Sequence, residues 1–226
     1  MKGEYHIELK PRSCPVVVPP RKYPIQLRDE IIEKIQELEN MGVVKKCPED
    51  EASEWIHALA FTRKTSGELW VCLDPKHLNV ALKRTYHRIP TLDEIAHKMS
   101  GSVLYSKLDA KNGYWSIKLD EESSKLCTFQ SPAGKYRFLR LPFGLSVSQD
   151  IFQCRMDKIL GKVGEGVIGI ADDVVVYGRD IQEHDYNLHK LLRVAREEGL
   201  VFRAEKSHVR QQTINFYGLA WSKDGM

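Results

Sequence analysis

Residues 167–178, VIGIADDVVVYG, set two adjacent carboxylates between two almost wholly apolar runs. Val167, Ile168 and Ile170 lead in, and Val174, Val175, Val176 and Tyr177 lead out. Residues of this kind favour a pleated backbone, so two such runs around a polar dipeptide read as a β-hairpin with Asp172 and Asp173 at or near its tip. Aspartate is a good turn residue, which is the plain reading of the pair. The sharper reading needs a third carboxylate elsewhere and a reason for divalent metal.

The rest of the chain surrounds this hairpin with mixed elements. Residues 11–24, PRSCPVVVPPRKYP, carry five prolines and are expected to form an extended arm, because proline fixes φ and removes a backbone donor. From 26 to 41, apolar residues at 27, 31, 35 and 38 define one helical face that stops at Gly42. Residues 54–74 read as two strands around a Thr65-Ser66-Gly67 turn. Thr91 with Glu94 forms a capping box for a short helix to residue 99. A strand-like run over 103–120, interrupted at DAKNG, precedes a hairpin turning at Pro132-Ala133-Gly134. A helix over 146–160 follows, with Ser148 as a possible cap and Ile151, Phe152, Met156 and Ile159 inward. After the acid hairpin, a helix ending at Gly199 is expected to bury Leu188, Leu191, Leu192 and Ala195, and the remainder reads as strands. No regular βαβ alternation exists, so an α+β fold, helices on a mostly antiparallel sheet, fits better than a doubly wound one.

The 226 residues allow a full core in one or two domains, with 42% hydrophobic and 29% charged content. A net charge of +3 permits a nucleic-acid partner without announcing one. The five cysteines are scattered, with no CxxC pair, which fits neither a disulfide framework nor a zinc site and favours a reducing interior. No signal peptide or bilayer-length apolar run is read, so no membrane association is expected.

Asp109 ends the run VLYSKLD, 63 residues before Asp172, so only the sheet can bring the two together. Three clustered carboxylates raise one another's pKa values and destabilise a fold unless cations offset the repulsion. Mg²⁺ takes hard oxygen ligands, and two such ions roughly 3.5–4 Å apart serve in-line displacement at phosphorus. Spacing alone leaves open whether Asp109 merely ends its strand. The basic stretch Lys135, Arg137, Arg140 reads either as a phosphate-backbone track or as one solvated hairpin face. His184 and His189 are five apart and do not share a helix face.

Five segments occur in the order of the reverse-transcriptase polymerase motifs: LDAKNGYWSIKLDEES, RFLRLPFGLSVSQDIFQCRM, IADDVVVYG, GLVFRAEKSHV and INFYGLAWSKDG. With LDPKHLN at 73–79 and RIPTLDEI at 88–95, the chain resembles the reverse transcriptase of a gypsy-type LTR retrotransposon Pol polyprotein from about residue 5 onward. The resemblance implies a right-hand palm and fingers. The arm would be 1–24, the fingers 25–104 and 120–142, and the palm 105–119 and 143–218. Residues 219–226 would begin a thumb whose remainder is absent, as from a larger polyprotein.

On that resemblance, Asp109, Asp172 and Asp173 are the metal-binding catalytic triad for two Mg²⁺ ions, with Mn²⁺ as an alternative, and the Ala110 carbonyl is a further ligand. Lys206 is the acid for the pyrophosphate leaving group. Tyr114 is a steric gate beneath the sugar, Phe143 and Gly144 form the floor beside nucleotide and template, and Tyr217 and Gly218 belong to the primer grip. Relatives carry an Arg where this chain has Trp70, which implies weaker nucleotide binding, with Arg63 or Lys64 compensating. Ile170 and Gln149 also depart, from a common Tyr and a common Pro. The implied partners are RNA or DNA template with primer, dNTPs, and the remaining Pol regions (thumb, RNase H, integrase). The implied setting is the cytoplasm or virus-like particles, with the nucleus as an alternative. The competing reading is a catalytically weak or inactive nucleic-acid-binding fragment.

Overall fold

The computed structural model describes residues 1–63 and 67–225. In chain order the first half contains β1 (Glu4–Tyr5), α1 (Arg28–Asn40), β2 (Val44–Lys46), β3 (Ala58–Arg63), β4 (Leu69–Asp74), α2 (Lys76–Ala81), α3 (Leu92–Met99) and β5 (Leu104–Ala110). Next come β6 (Lys118–Leu119), α4 (Glu121–Leu126), β7 (Thr128–Ser131), β8 (Gly134–Phe138) and α5 (Ser148–Val163). The chain continues through β9 (Val167–Ile170), β10 (Asp173–Gly178), α6 (Ile181–Glu198), β11 (Phe202–Gln211), β12 (Thr213–Phe216) and β13 (Leu219–Ser222). Among the described residues no helix is long and apolar enough to cross a membrane. The chain divides into two units, each threaded twice or more. The first holds Met1–Lys2, Tyr86–Gly113 and everything from Gln149 onward; the second holds Gly3–Thr85 and Tyr114–Ser148.

The first unit is built on a four-stranded antiparallel sheet in the order β11-β5-β10-β9. Val174, Val175 and Val176 on β10 are all fully buried, which requires cover on both sheet faces. One face carries Tyr105, Ile168, Ile170, Val175 and Tyr177, packed with Ile95 and Met99 of α3 and with Ile214, Phe216 and Trp221 of the β12–β13 hairpin. On the other face a Cβ added to Gly169 would lie 2.6 Å from Leu160 Cδ1, so α5 sits close against the sheet. Ser106 Oγ and His184 Nε2, 2.8 Å apart, link that face to α6. Burial on both sides explains why these strands read as continuous apolar runs instead of alternating.

The capping box at Thr91 is present, the Thr91 hydroxyl accepting from Glu94 N while the Glu94 carboxylate accepts from Thr91 N. Helix α6 differs from its expected phase. Its buried positions are His184, Asn187, Leu191, Val194 and Ala195, whereas Leu192 is exposed and Leu188 only half-buried. The stripe is set by two polar residues that satisfy their bonding inside: His184 on Ser106, and Asn187 Nδ2 donating to Tyr177 O at 3.0 Å. Counting apolar residues alone misplaces such a face. Helix α5 begins at Ser148 itself, whose hydroxyl donates to Pro142 O at 2.8 Å.

In the second unit, α1 buries Ile31, Ile35 and Leu38 and packs on β2 and β4. The β7–β8 hairpin extends to β2, and β3 pairs with β4. The expected Thr65-Ser66-Gly67 turn lies largely outside the described residues. The proline-rich segment is extended and bonds Ile56 on both sides, Val18 N donating to Ile56 O and Ile56 N to Val16 O. Neither reading of the basic stretch holds, because its residues are bonded within the unit. Arg137 is buried and paired with Glu51 at 2.5 Å, Lys135 Nζ donates to Glu51 O, and Arg140 donates to Gly42 O and Trp115 O. Two short helices, α2 and α4, are not foreseen from the sequence.

Helix α2 has an identifiable task. Asn79 Nδ2 donates to Gly144 O at 3.0 Å and Asn79 Oδ1 accepts from Ser146 N at 2.8 Å, while Leu73 N donates to Phe143 O at 3.0 Å. The Phe143-Gly144 turn is thereby clamped to β4 so closely that a Cβ on Gly144 would lie 1.9 Å from Leu73 O, at φ +108°. Gly144→Ala is expected to destabilise the protein by more than about 3 kcal/mol, combining left-handed strain with a backbone clash. Gly42→Ala, at φ +65° with open space around it, costs about 1 kcal/mol. Urea denaturation of the two variants beside the parent measures the difference.

Candidate active site

Three strands of the first unit bring one row of charges together. Asp173 is the register partner of Asp109 across β10–β5, and Arg203 is the partner of Asp109 across β5–β11. Side chains directly opposite on antiparallel strands stand about 4.5–5.5 Å apart at Cβ, and like charges in that position destabilise the sheet. The period of two along β5 places Lys107 on the same face as Asp109. Lys107 Nζ lies 2.9 Å from Asp173 Oδ2, and Arg203 Nε lies 3.4 Å from Asp109 Oδ1. These two cations offset the repulsion that the register creates.

Asp172 occupies the two-residue turn between β9 and β10, where Ala171 takes φ +50° and Ala110 N donates to Asp172 O at 2.7 Å. Burial pushes the Asp172 carboxyl pKa up, the Asp109 and Asp173 charges add to the rise, and Arg203 and Lys206 oppose it. Asp109 Oδ1 is buried with no hydrogen-bond partner, because the Arg203 contact lacks hydrogen-bond geometry. A desolvated acid, an orphaned carboxylate oxygen and an all-oxygen donor set fit a hard divalent cation. Among the described residues no three His, Cys, Asp or Glu side chains converge at metal-holding distances. The carboxylates of Asp109 and Asp173 instead rest on Arg203 and Lys107.

Lys206 sits in an irregular stretch of β11. Five residue steps from Arg203 to His208 face only two steps on β5, from Asp109 to Lys107. The bulged strand turns Lys206 into a cleft of about 420 Å³ shared with Lys107, Asp109, Asp173 and His208. Lys107 and His208 escaped the sequence reading. The alternation of β5 is the signal that places Lys107 on the face of Asp109. Tyr217 and Gly218 form the β12–β13 turn at φ +54° and +79°, the left-handed pair that a tight hairpin requires. Tyr217 is half exposed, so core packing does not account for it. Trp221 Nε1, donating to Phe216 O at 2.8 Å, pins the hairpin.

The remaining sequence-predicted residues lie in the second unit. Tyr114, in a 3₁₀ turn (Gly113–Ser116) rather than a strand, stacks at a tilt on Phe143, with centroids 4.6 Å apart. Trp70 stacks on Trp115 at 5.1 Å and meets the Phe143 ring edge-on at 4.8 Å. Trp70 is thus part of an aromatic cluster with Trp115 and Phe143. Arg63 is held by both Glu30 carboxylate oxygens, at 2.9 and 2.7 Å, and by Gly67 O. Lys64 lies outside the described residues.

The chain matches the reverse transcriptase (RNA-dependent DNA polymerase) family over residues 63–221. It is 32% identical over 222 residues to an uncharacterized protein of Caenorhabditis elegans, covering 96% of this chain and 17% of that protein. It is 30% identical over 224 residues to a putative enzymatic polyprotein of Cassava vein mosaic virus, covering 97% and 34%. The chain therefore spans about a third or less of the length of these curated relatives. Its fold superposes on the foamy viral protease-reverse transcriptase in complex with RNA/DNA hybrid with a TM-score of 0.82 at 19% identity, covering 94% of this chain and 28% of that one. The Prototype Foamy Virus protease-reverse transcriptase CSH mutant gives a TM-score of 0.80 at 22% identity, over 93% of this chain and 28% of that one. The fold and the match define a reverse transcriptase domain: this chain belongs to that family.

Two outcomes follow, one from the electrostatics at Asp172 and one from the ring contacts of Trp70. A carboxyl whose folded pKa is raised binds its proton more tightly in the native state, so stability falls as pH rises above the ordinary aspartate range, near about pH 4, and stays reduced at neutral pH. In metal-free protein Asp172→Asn is expected to raise the melting temperature at pH 7, with the gain shrinking as pH falls toward 4. Melting curves of parent and variant across that range check the sign. Trp70→Arg removes two ring contacts of roughly 0.5–1.5 kcal/mol each. It is expected to lower stability by about 2 kcal/mol, read as a lower urea midpoint.

Proposed function

We propose that this chain is the RNA-directed DNA polymerase domain of an LTR-retroelement Pol polyprotein. It would extend a primer 3′-hydroxyl with dNTPs on an RNA or DNA template. The observation that carries the reading is the Asp109–Asp173 register pair with the desolvated Asp172 carboxyl at the adjoining turn. Those three carboxylates, with the Ala110 carbonyl, are the groups that would hold divalent metal. Divalent metal held there would supply charge neutralisation at the triphosphate and would lower the pKa of the attacking hydroxyl. Lys206 Nζ, in the same cleft, is the group positioned to give a proton to the departing pyrophosphate. The Tyr217–Gly218 turn, held open by its left-handed backbone, supports the primer end. Tyr114 as the sugar gate and Phe143 with Gly144 as the nucleotide floor rest on the family pattern. In the same pattern 105–119 and 143–218 are the palm and 25–104 and 120–142 the fingers, and the thumb, RNase H and integrase regions are the expected neighbours in the polyprotein.

One observation favours a second reading, a nucleic-acid-binding fragment without catalysis: Asp109 and Asp173 already meet cations of the protein itself. Primer extension on an RNA template with and without Mg²⁺ separates the two. Under the polymerase reading, extension is Mg²⁺-dependent, and Asp173→Asn lowers its rate by roughly 10²–10⁴-fold, as several kcal/mol of lost transition-state stabilisation implies. Template binding without extension, in parent and variant alike, would establish the fragment.

A further inference from the structure

Lys107 is tied at two points that belong to different parts of the first unit. Its ammonium lies 2.9 Å from Asp173 Oδ2 and 3.1 Å from Asn215 O, on the strand leading to the Tyr217–Gly218 turn. We propose that Lys107 is an internal counter-ion that competes with divalent metal for the Asp173 carboxylate and couples that exchange to the β12–β13 hairpin. The proposal rests on the metal-binding reading of Asp109, Asp172 and Asp173.

The geometry separates Lys107 from the other cations nearby. Arg203 approaches Asp109 at 3.4 Å without hydrogen-bond geometry. Lys206 is exposed, and its effect is felt at Asp172 as a long-range charge. Among the described residues Lys107 alone makes a close contact to a carboxylate oxygen of the row, with its side chain 24% exposed and that of Asp173 36% exposed. Partial burial makes the pair harder to replace than a fully solvated one, since screening by water and salt is reduced. A divalent ion seated on Asp173 repels an ammonium on the same carboxylate, so metal entry has to displace Lys107 or be weakened by it. The displaced ammonium keeps Asn215 O as its partner on β12. Loading of the carboxylates therefore changes how firmly the hairpin is held to β5 and β10. In the metal-free protein the same pair offsets part of the charge repulsion that the register imposes.

Mn²⁺ serves as the probe, with the free ion counted by electron paramagnetic resonance in titrations of the full chain, so that polymerase activity is not the readout. Lys107→Met, which keeps an unbranched side chain and removes the charge, is expected to bind Mn²⁺ about fivefold more tightly, the upper range for a partly exposed ion pair. Lys107→Arg keeps the charge and is expected to match the parent. Lys206→Met, the control for general charge removal, is expected to change affinity by about twofold at most. Amide exchange over Ile214–Phe216 is expected to quicken when Mn²⁺ is added to the parent, and to be fast already in metal-free Lys107→Met. Equal affinity in the parent and Lys107→Met, or equal tightening in Lys206→Met, would overturn the competition. Unchanged hairpin exchange would overturn the coupling. If no variant and not the parent binds Mn²⁺, the metal-binding reading falls first, and the proposal with it.

Discussion

The structure of the first unit turns on one repulsion, that between Asp109 and Asp173 set opposite each other on neighbouring strands. An antiparallel register leaves such side chains no freedom to separate along the strand, and burial of one acid at the adjoining turn removes the water that would screen them. The sheet endures this because Lys107 and Arg203 offset part of it and its other positions are favourable. Val174, Val175 and Val176 are completely buried between the α3 and hairpin layer on one side and the α5 and α6 layer on the other. Functional strain of this kind persists where the surrounding packing over-determines it.

Local geometry is then used to aim polar groups at the end of that sheet. The bulge in β11 carries Lys206 toward the carboxylates, and the tight β12–β13 turn presents Tyr217 and Gly218. In the second unit the same economy appears at the Phe143-Gly144 turn. The Asn79 side chain satisfies one carbonyl and one amide of that turn, and only glycine tolerates the approach of Leu73 O. The motif LDPKHLN thus acquires a physical meaning, since its asparagine fixes a turn 65 residues further on.

Trp70 sits in an aromatic cluster of the second unit. Trp115 stacks on it, Phe143 meets it edge-on, and Tyr114 packs in turn on Phe143. A charge placed among these rings would have to be desolvated, whereas the rings now stabilise one another. Arg63, the nearest guanidinium on the same hairpin, is committed to Glu30 in a two-point contact.

Local chemistry made much of the fold legible from residues alone. β-Branched runs marked β9 and β10, the Thr91 and Glu94 pair marked the start of α3, Gly199 marked the end of α6, and the acids fell at the turn where a polar dipeptide must interrupt two apolar strands. Each of these is decided by a residue and its neighbours within a few positions. The inward face of α6 was misjudged because His184 and Asn187 are buried by partners on other strands, Ser106 and Tyr177. The basic residues of β8, with Arg140 just after it, have the pattern of a solvent- or phosphate-facing stretch, yet Glu51, Gly42 and Trp115 take them up. Which acid faces which, and which cation holds it, is a matter of register between Asp109 and Asp173 on strands far apart in the chain. Strand pairing and side-chain partnership are non-local, so sequence alone determined where the acids and turns lie, and only the tertiary structure decided that Lys107 and Arg203 stand beside them.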